Sequence, residues 1–328
     1  MRPGVEMKKV IVFGGGTGLS CLLSGMKQFP IDVTTVITVS DNGSSTGVLK
    51  KELDIPAVGD VGKVLISMAN VDEDFTKLLR YRFSKDGSLY NHPVRNIMLA
   101  ALIDLKGSLS EATNYMSKLL NIKGTILPLS EEKVELVGKN GQKEFFGQVA
   151  VSANAKNIRK LDFDHSIHIC EEVIEKIASA DLIIFSPGSL YTSILPHLLS
   201  PDVLRALKNA RAPILYVCNI VTQPGETDHY SVSDHLRVLN RYLKYRKIDI
   251  VLVNNAAPDP EVTARYYEAE GKELVLLDRE QVKKYDVEMI EDNLLYIENG
   301  SIRHDALKTA FQIFAYLMKQ PGDRCRGS

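Results

Sequence analysis

Short runs of β-branched and aliphatic residues recur along the chain, separated by stretches in which apolar positions return every three or four residues. The runs at 10–13, 35–39, 182–185, 214–217, 248–253 and 273–277 predict strands. Segments 19–28, 169–179, 203–209 and 232–242 carry the helical period and lie between them. This alternation predicts an α/β fold: a Rossmann-like, mainly parallel sheet with flanking helices. Segments 75–81, 95–103 and 110–119 read as consecutive helices without intervening strands, so a helical insertion is expected at about 70–122, beside the sheet. Segments 133–137 and 144–151 flank Lys139-Asn140-Gly141-Gln142, and Asn-Gly between alternating arms predicts a β-hairpin. We read one domain over 8–320 and a polar, disordered tail at 321–328.

The first strand runs into Gly14-Gly15-Gly16-Thr17-Gly18 and then into a helix. Glycines at a strand-to-helix turn let the backbone approach an anion, and the N–H groups of the helix start present the positive end of its dipole. A phosphate fits there, so a nucleotide or nucleotide-sugar ligand is the first expectation. The spacing is not the dinucleotide fingerprint, because Leu19 or Cys21 stands where a third glycine belongs, depending on the starting glycine. An NAD-dependent oxidoreductase would rest on this turn and Asp41 alone. No Lys follows the glycines where G-x-x-x-x-G-K-[ST] requires it, which disfavours ATP hydrolysis through a P-loop.

Charge narrows the partners. With 40 basic against 41 acidic residues the net charge is -1, and no basic block is long enough to track a phosphate backbone, so nucleic acid is not expected. The apolar runs are strand-sized, well below the roughly 18–20 residues of a membrane span, and no export signal is read at the N-terminus, so cytoplasmic residence is expected. Cys21, Cys170, Cys218 and Cys325 are far apart with no C-x-x-C pair, which suggests neither a zinc site nor a disulfide framework. The first three read as buried thiols.

Ligands of open parallel sheets collect at the carboxyl ends of the strands. After 35–39 comes Ser40-Asp41-Asn42-Gly43-Ser44-Ser45, a flexible loop in which Asp41 suits a ribose hydroxyl or a divalent cation. After 182–185 come Ser189 and Tyr191, and after 214–217 come Asn219, Thr222 and Gln223, all in loops dense in donors and acceptors. Asp60 reads either as a helix N-cap or as a ligand residue, and His92 and Asn96 are within reach of a ligand.

Gly14-Gly-Gly-Thr-Gly-Leu-Ser20, Val39-Ser-Asp-Asn-Gly43, Pro187-Gly-Ser-Leu-Tyr-Thr-Ser193 and Thr222-Gln-Pro-Gly-Glu-Thr227 together resemble the gluconeogenesis-factor family, which is related to the 2-phospho-L-lactate transferases (CofD-like). The resemblance implies a Rossmann-like nucleotide site, a regulatory role in growth on gluconeogenic carbon sources and in cell shape, and binding of UDP-sugars such as UDP-N-acetylglucosamine. On that reading the amides of Gly15, Gly16 and Gly18 and the Thr17 hydroxyl cradle a diphosphate. Asn219, Thr222 and Gln223 read sugar or base, Ser189 and Tyr191 close the site, and Asp41, Asn42, Ser44, Asp60, His92 and Asn96 complete the ligand shell. No catalytic residue is assigned, no cofactor is required, and a homodimer is allowed. The alternative is a phospho-lactyl-type transferase with Asp41 and Asp60 on a divalent cation such as Mg²⁺. The chain departs from the family at two places. Gly59-Asp60-Val61-Gly62-Lys63 stands for Gly-Asp-Ile-Arg-Asn, and Asn91-His92-Pro93-Val94-Arg95-Asn96 stands for Gly-His-Ser-x-Gly-Asn. A charge moved to Lys63 or Arg95 is the expected compensation.

Overall fold

The computed structural model describes residues 7–298 and 300–319; the tail at 321–328, with Cys325, lies outside them. In chain order, β1 (Lys9–Gly14) leads through α1 (Gly16–Met26) to β2 (Asp32–Ile37). Five helices follow, α2 (Ser44–Glu52), α3 (Gly59–Met68), α4 (Glu73–Arg80), α5 (Val94–Lys106) and α6 (Leu109–Leu119), before β3 (Thr125–Pro128). Then come β4 (Leu136–Asn140), β5 (Lys143–Phe146), α7 (Gly147–Asn154), β6 (Lys160–Phe163), α8 (Glu171–Ser179), β7 (Leu182–Phe185), α9 (Pro201–Asn209) and β8 (Ile214–Val217). The chain continues through α10 (Val232–Leu243), β9 (Ile250–Asn254), α11 (Pro260–Glu270), α12 (Arg279–Val282), β10 (Glu288–Asp292), β11 (Leu295–Glu298), β12 (Ser301–His304) and α13 (Ala306–Lys319).

The main sheet has seven parallel strands in the order β10-β9-β8-β7-β1-β2-β3. The α/β expectation holds. Both faces are covered, which is why the central strands are apolar throughout. Val10 and Val12 of β1 enter one core with α1, α3, α5, α6 and α13, while Ile11 and Phe13 enter the other with α8, α9 and α10. Each such side chain, fully buried, contributes about 1.5–3 kcal/mol. Caps fix the helix starts: in α10, Ser231 and Asp234 bond reciprocally across the first turn. The docking of α13 on α1 is close, since a Cβ at Gly25 would fall 3.0 Å from that of Ala310.

The strands at 10–13, 182–185 and 214–217 are observed at or within a residue of their expected limits; two others differ in their ends. β2 begins at Asp32, because its pairing with β1 from Lys9 onward includes the polar Asp32 and Thr34. β9 begins at Ile250 and ends at Asn254. Segment 273–277 is not a strand of the sheet. The place beside β9 is taken by β10, and 273–277 makes only isolated bridges, Val221 to Leu274 and Ser231 to Leu276, as it crosses the loops after β8. The hairpin forms as β4 and β5 with Gly141-Gln142 at its tip; its second arm stops at Phe146, where Gly147 takes φ +82 and starts α7, and β6 pairs on the other side of β4. The helices expected within 70–122 are present, preceded by α2 and α3, and they pack on the first face of the sheet. Of the cysteines, Cys218 is buried, whereas Cys21 and Cys170 are half-buried. No helix among the described residues is long and apolar enough to cross a membrane.

Candidate functional site

The order of strands reverses at β1: β2 and β3 lie on one side of it, β7 to β10 on the other. Loops leaving β1 and β7 diverge there and open a crevice at the carboxyl edge, the place where open α/β sheets hold ligands. A cavity of about 490 Å³ occupies it. One wall is the turn Gly15-Gly16-Thr17-Gly18, which starts α1. Gly16 has φ +66, a left-handed conformation that glycine adopts without penalty, and the space beyond its Cα is open. No side chain caps α1, so its first N–H groups are available to an anion, and the Thr17 hydroxyl is exposed beside them.

Gly18 serves packing. A Cβ there would press on the Pro187 carbonyl, 2.7 Å from its carbon, so its absence lets α1 lie against the loop after β7. That loop is braced by Asn219, whose Oδ1 accepts from Gly188 N–H at 2.8 Å and whose Nδ2 donates to Gly188 O at 2.7 Å. Asn219 lines the cavity, but both ends of its amide are engaged. Thr222 lines it too, while its hydroxyl accepts from Glu273 N–H at 3.0 Å.

Behind these loops sits Glu226, at 1 % exposure, a residue the sequence reading passed over. It accepts from the hydroxyls of Ser152 and Ser189, from Tyr191 N–H at 3.1 Å and from Gln223 Nε2 at 3.2 Å. Burial raises its carboxyl above the usual range, and the donors around it work against that rise. Ser189 and Gln223 therefore face the cavity in positions set by Glu226. Tyr191 does not close the site: it is buried beside Tyr230, 3.5 Å from hydroxyl to hydroxyl, and burial raises its pKa.

Asp60 is not an N-cap. It lies inside the first turn of α3, where a Cβ on Gly15 would meet its Oδ2 at 2.6 Å, and its Oδ1 accepts from Lys63 Nζ at 2.8 Å. Asp41 lies next to it; burial and then the Asp60 charge raise its carboxyl. Burial works against the Lys63 ammonium, but Asp60 and Asp41 outweigh that and hold its pKa above the usual lysine value. The pair of carboxylates is thus brought together beside the glycine turn, and one of them, Asp60, is paired with a lysine of the chain itself. Among the described residues no cluster of three or more His, Cys, Asp or Glu side chains is placed to hold a metal. A Mg²⁺ ion at Asp41 and Asp60 would compete with Lys63 for Asp60 Oδ1, so the residues do not fit it as they stand.

Other expected ligand residues are elsewhere. The loop after β2 ends at Gly43, and Ser44 opens α2 with φ +33, exposed and away from the cavity. Asn42 donates to Glu135 Oε2 at 3.0 Å. His92 and Asn96 are buried with Ser45, whose Oγ lies 2.9 Å from His92 Nδ1 and accepts from Asn96 Nδ2 at 3.1 Å; the trio ties α2 to α5. Gly43 to Gly47 spell G-x-S-x-G, but Ser45 is covered at 6 % exposure, unlike an exposed nucleophile at an elbow.

The far wall comes from the C-terminal part of the chain. Lys272, Tyr266 and Arg303 line the cavity with His304, and with Lys63 they set three cations around it. The hairpin of β11 and β12 delivers Arg303. Asn299-Gly300 is the sequence signal that would have found that hairpin; nothing in the pattern marked Lys272 or Tyr266.

A buried histidine supports the turn from behind. His197, fully buried, donates from Nε2 to Gly14 O at 3.2 Å and meets Phe13 edge-on at 5.2 Å. Burial lowers its pKa from 6.5 to about 4. Its contribution to stability is therefore present above pH 6.5 and lost as the pH falls through about 4, at most about 3 kcal/mol for a shift of this size. Urea titrations at pH 7.5 and 4.5 should show a stability loss that shrinks in His197→Gln; equal losses in both proteins would exclude this histidine as the cause.

Comparison with known proteins identifies the family. Residues 10–295 match the family model of the 2-phospho-L-lactate transferase CofD. The gluconeogenesis factor of Bacillus subtilis is 39% identical over 307 residues, covering 93% of this chain and 96% of that protein. The gluconeogenesis factor of Halalkalibacterium halodurans is 37% identical over 308 residues, covering 93% and 95%. A crystal structure of a Bacillus halodurans protein superposes with a TM-score of 0.90 at 37% identity, covering 94% of this chain and 100% of that one. The chain thus belongs to the CofD family, among relatives named gluconeogenesis factor.

Proposed function

We propose that the cavity binds a nucleoside diphosphate-linked ligand of the UDP-sugar type, and that the protein is a ligand-responsive regulator in the cytoplasm rather than a catalyst. The observation that carries this reading is the composition of the cavity walls. An uncapped helix start with a glycine turn faces Lys63, Lys272 and Arg303, so backbone N–H groups and cations converge on one space. A diphosphate answers both. The volume, about 490 Å³, exceeds what two phosphates need and leaves room for a base or a sugar. The names of the relatives supply the setting, carbon metabolism on gluconeogenic substrates, and control of cell shape follows from the same family reading.

A thermal-shift panel of UDP-N-acetylglucosamine, UDP-glucose, GDP, NAD and a deazaflavin, with and without Mg²⁺, tests it. UDP-sugars should raise the melting temperature, since a ligand that binds only the folded chain must do so, and chelation should weaken binding only slightly. Arg303→Ala should cost about 1.5–3 kcal/mol of binding, roughly tenfold to a hundredfold in affinity. A shift with GDP or the deazaflavin and none with UDP-sugars would overturn the choice of ligand.

The second reading is transfer of a phospho-lactyl-type group, favoured by the Asp41 and Asp60 carboxylates beside the glycine turn. Mass spectrometry of ligand incubated with the protein decides between the two. A stable stoichiometric complex without product supports the regulator, and a product lost in Asp41→Asn supports the transferase.

A further inference from the structure

Next to the main cavity, and sharing Thr17 and Lys63 with it, lies a recess of about 310 Å³ lined also by Ser20, Ser67, Arg80 and Arg95. Arg95 has no evident reason to be there as a structural group. At 7 % exposure on the first turn of α5, it makes no ion pair and donates no side-chain hydrogen bond among the described residues, and its Nε is enclosed without a partner. Its neighbours make matters worse: burial, then the charges of Arg82 and Arg80, lower its pKa to about 10. A guanidinium largely withdrawn from water without a counter-charge opposes folding unless something else supplies that charge.

The fold nevertheless makes room for it. A Cβ at Gly62 would lie 3.1 Å from Arg95 Cδ and 3.3 Å from its Nε, so the Arg95 stem fills the space that a side chain on α3 would take. Arg95 of α5 thus comes to lie against α3 at position 62, where α3 itself carries no side chain. Ser20 Oγ, also enclosed and unpartnered, faces the same recess. Arginine's planar fork suits a carboxylate or a phosphate, and a second arginine, Arg80, stands on the rim.

We propose that this recess is an anion subsite, and that the ligand is a nucleoside diphosphate bearing one further acidic group, a carboxylate on its sugar or an additional phosphate. Arg95 and Arg80 receive that group, and Thr17 and Lys63 join the two compartments. The proposal rests on the reading of the main cavity as a diphosphate site.

Calorimetric titration of UDP-glucuronate against UDP-glucose isolates the carboxylate, and UTP against UDP isolates the phosphate. In the wild type one acidic ligand should bind at least about tenfold more tightly than its counterpart, as expected for a hydrogen-bonded charge pair. That ratio should fall to within about twofold in Arg95→Met and recover in part in Arg95→Lys. Arg80→Ala, on the exposed rim, should reduce the ratio without touching the core. Without ligand, Arg95→Met should melt no lower than the wild type, because an unpaired buried charge has been removed. Ratios near one for both pairs would overturn the subsite and leave the main-cavity reading intact. If none of the four ligands binds, that reading fails, and inorganic phosphate judges the recess alone. Stabilisation of the wild type but not of Arg95→Met would sustain the subsite, and no difference would overturn it.

Discussion

Gly18→Ala should lower the free energy of unfolding by about 2–3 kcal/mol, the cost of forcing a methyl group into a closed contact. The neighbour is the Pro187 carbonyl, part of a backbone that Asn219 clamps on the following residue, so it has little freedom to retreat. Ligand affinity should fall as well, because α1 can relieve the clash only by tilting its free N–H groups away from the cavity. Gly16→Ala gives the contrast. Its side chain would enter open space, and the penalty is confined to a left-handed φ of +66, about 1–2 kcal/mol for a residue with a Cβ. Urea unfolding of the two variants measures the difference, and a Gly18→Ala protein as stable as the wild type would show that the helix and the loop are not in firm contact.

Glu226→Ala should be of similar size or larger, about 3 kcal/mol, since it leaves Tyr191 N–H, Gln223 Nε2 and two hydroxyls facing a void where their acceptor was. Glu226→Gln should behave differently. It keeps an acceptor in place, the hydroxyls around it are free to rotate, and no charge has to be buried. The raised carboxyl pKa sets the sign of the pH dependence: the Glu226 contribution is full below the ordinary glutamate value of 4.5 and is lost as the pH rises through its higher folded value. At neutral pH Glu226→Gln should therefore match or exceed the wild type in stability, with the gap closing as the medium is acidified. A Gln variant as unstable as the Ala variant at every pH would mean that the carboxylate charge itself holds the loops.

The centre of the sheet was legible in the sequence because burial on both faces demands uninterrupted apolar runs, as in β7 and β8. Edge strands obey no such demand. β10 carries Glu288, Glu291 and Asp292, β3 ends on Pro128, and neither stands out from a loop. Segment 273–277 misled for the opposite reason: its apolar side chains cover loops, and a half-buried cover has the composition of a strand. The glycine wall of the site was equally legible, since its backbone conformation restricts the residue type. Lys272, Tyr266 and Arg303 were not, because a side chain that lines a cavity looks in sequence like any solvated one. Asn219, Thr222 and Tyr191 stand in loops dense in donors and acceptors, yet the structure uses Asn219 and Thr222 to hold loops to one another and buries Tyr191 beside Tyr230. Loop-to-loop bracing and ligand contact draw on the same side chains, and only geometry separates them.

Cys21 donates its thiol hydrogen to His304 O at 3.2 Å across 283 residues of sequence, so the glycine wall and the wall that carries Lys272 and Arg303 are far apart in sequence and meet only in the fold. During synthesis the first wall is made long before the second. A nascent chain that already holds β1, β2 and β7 together still has a glycine turn open to solvent and no counterpart across from it. On the proposed reading, ligand capture has to await the docking of β12 on α1, and by mass action it would then favour chains in which both walls are in place. A protease cut just before β12 would have the converse effect, abolishing capture while sparing most of the sheet. The bound state thus reports that the fold has closed from end to end.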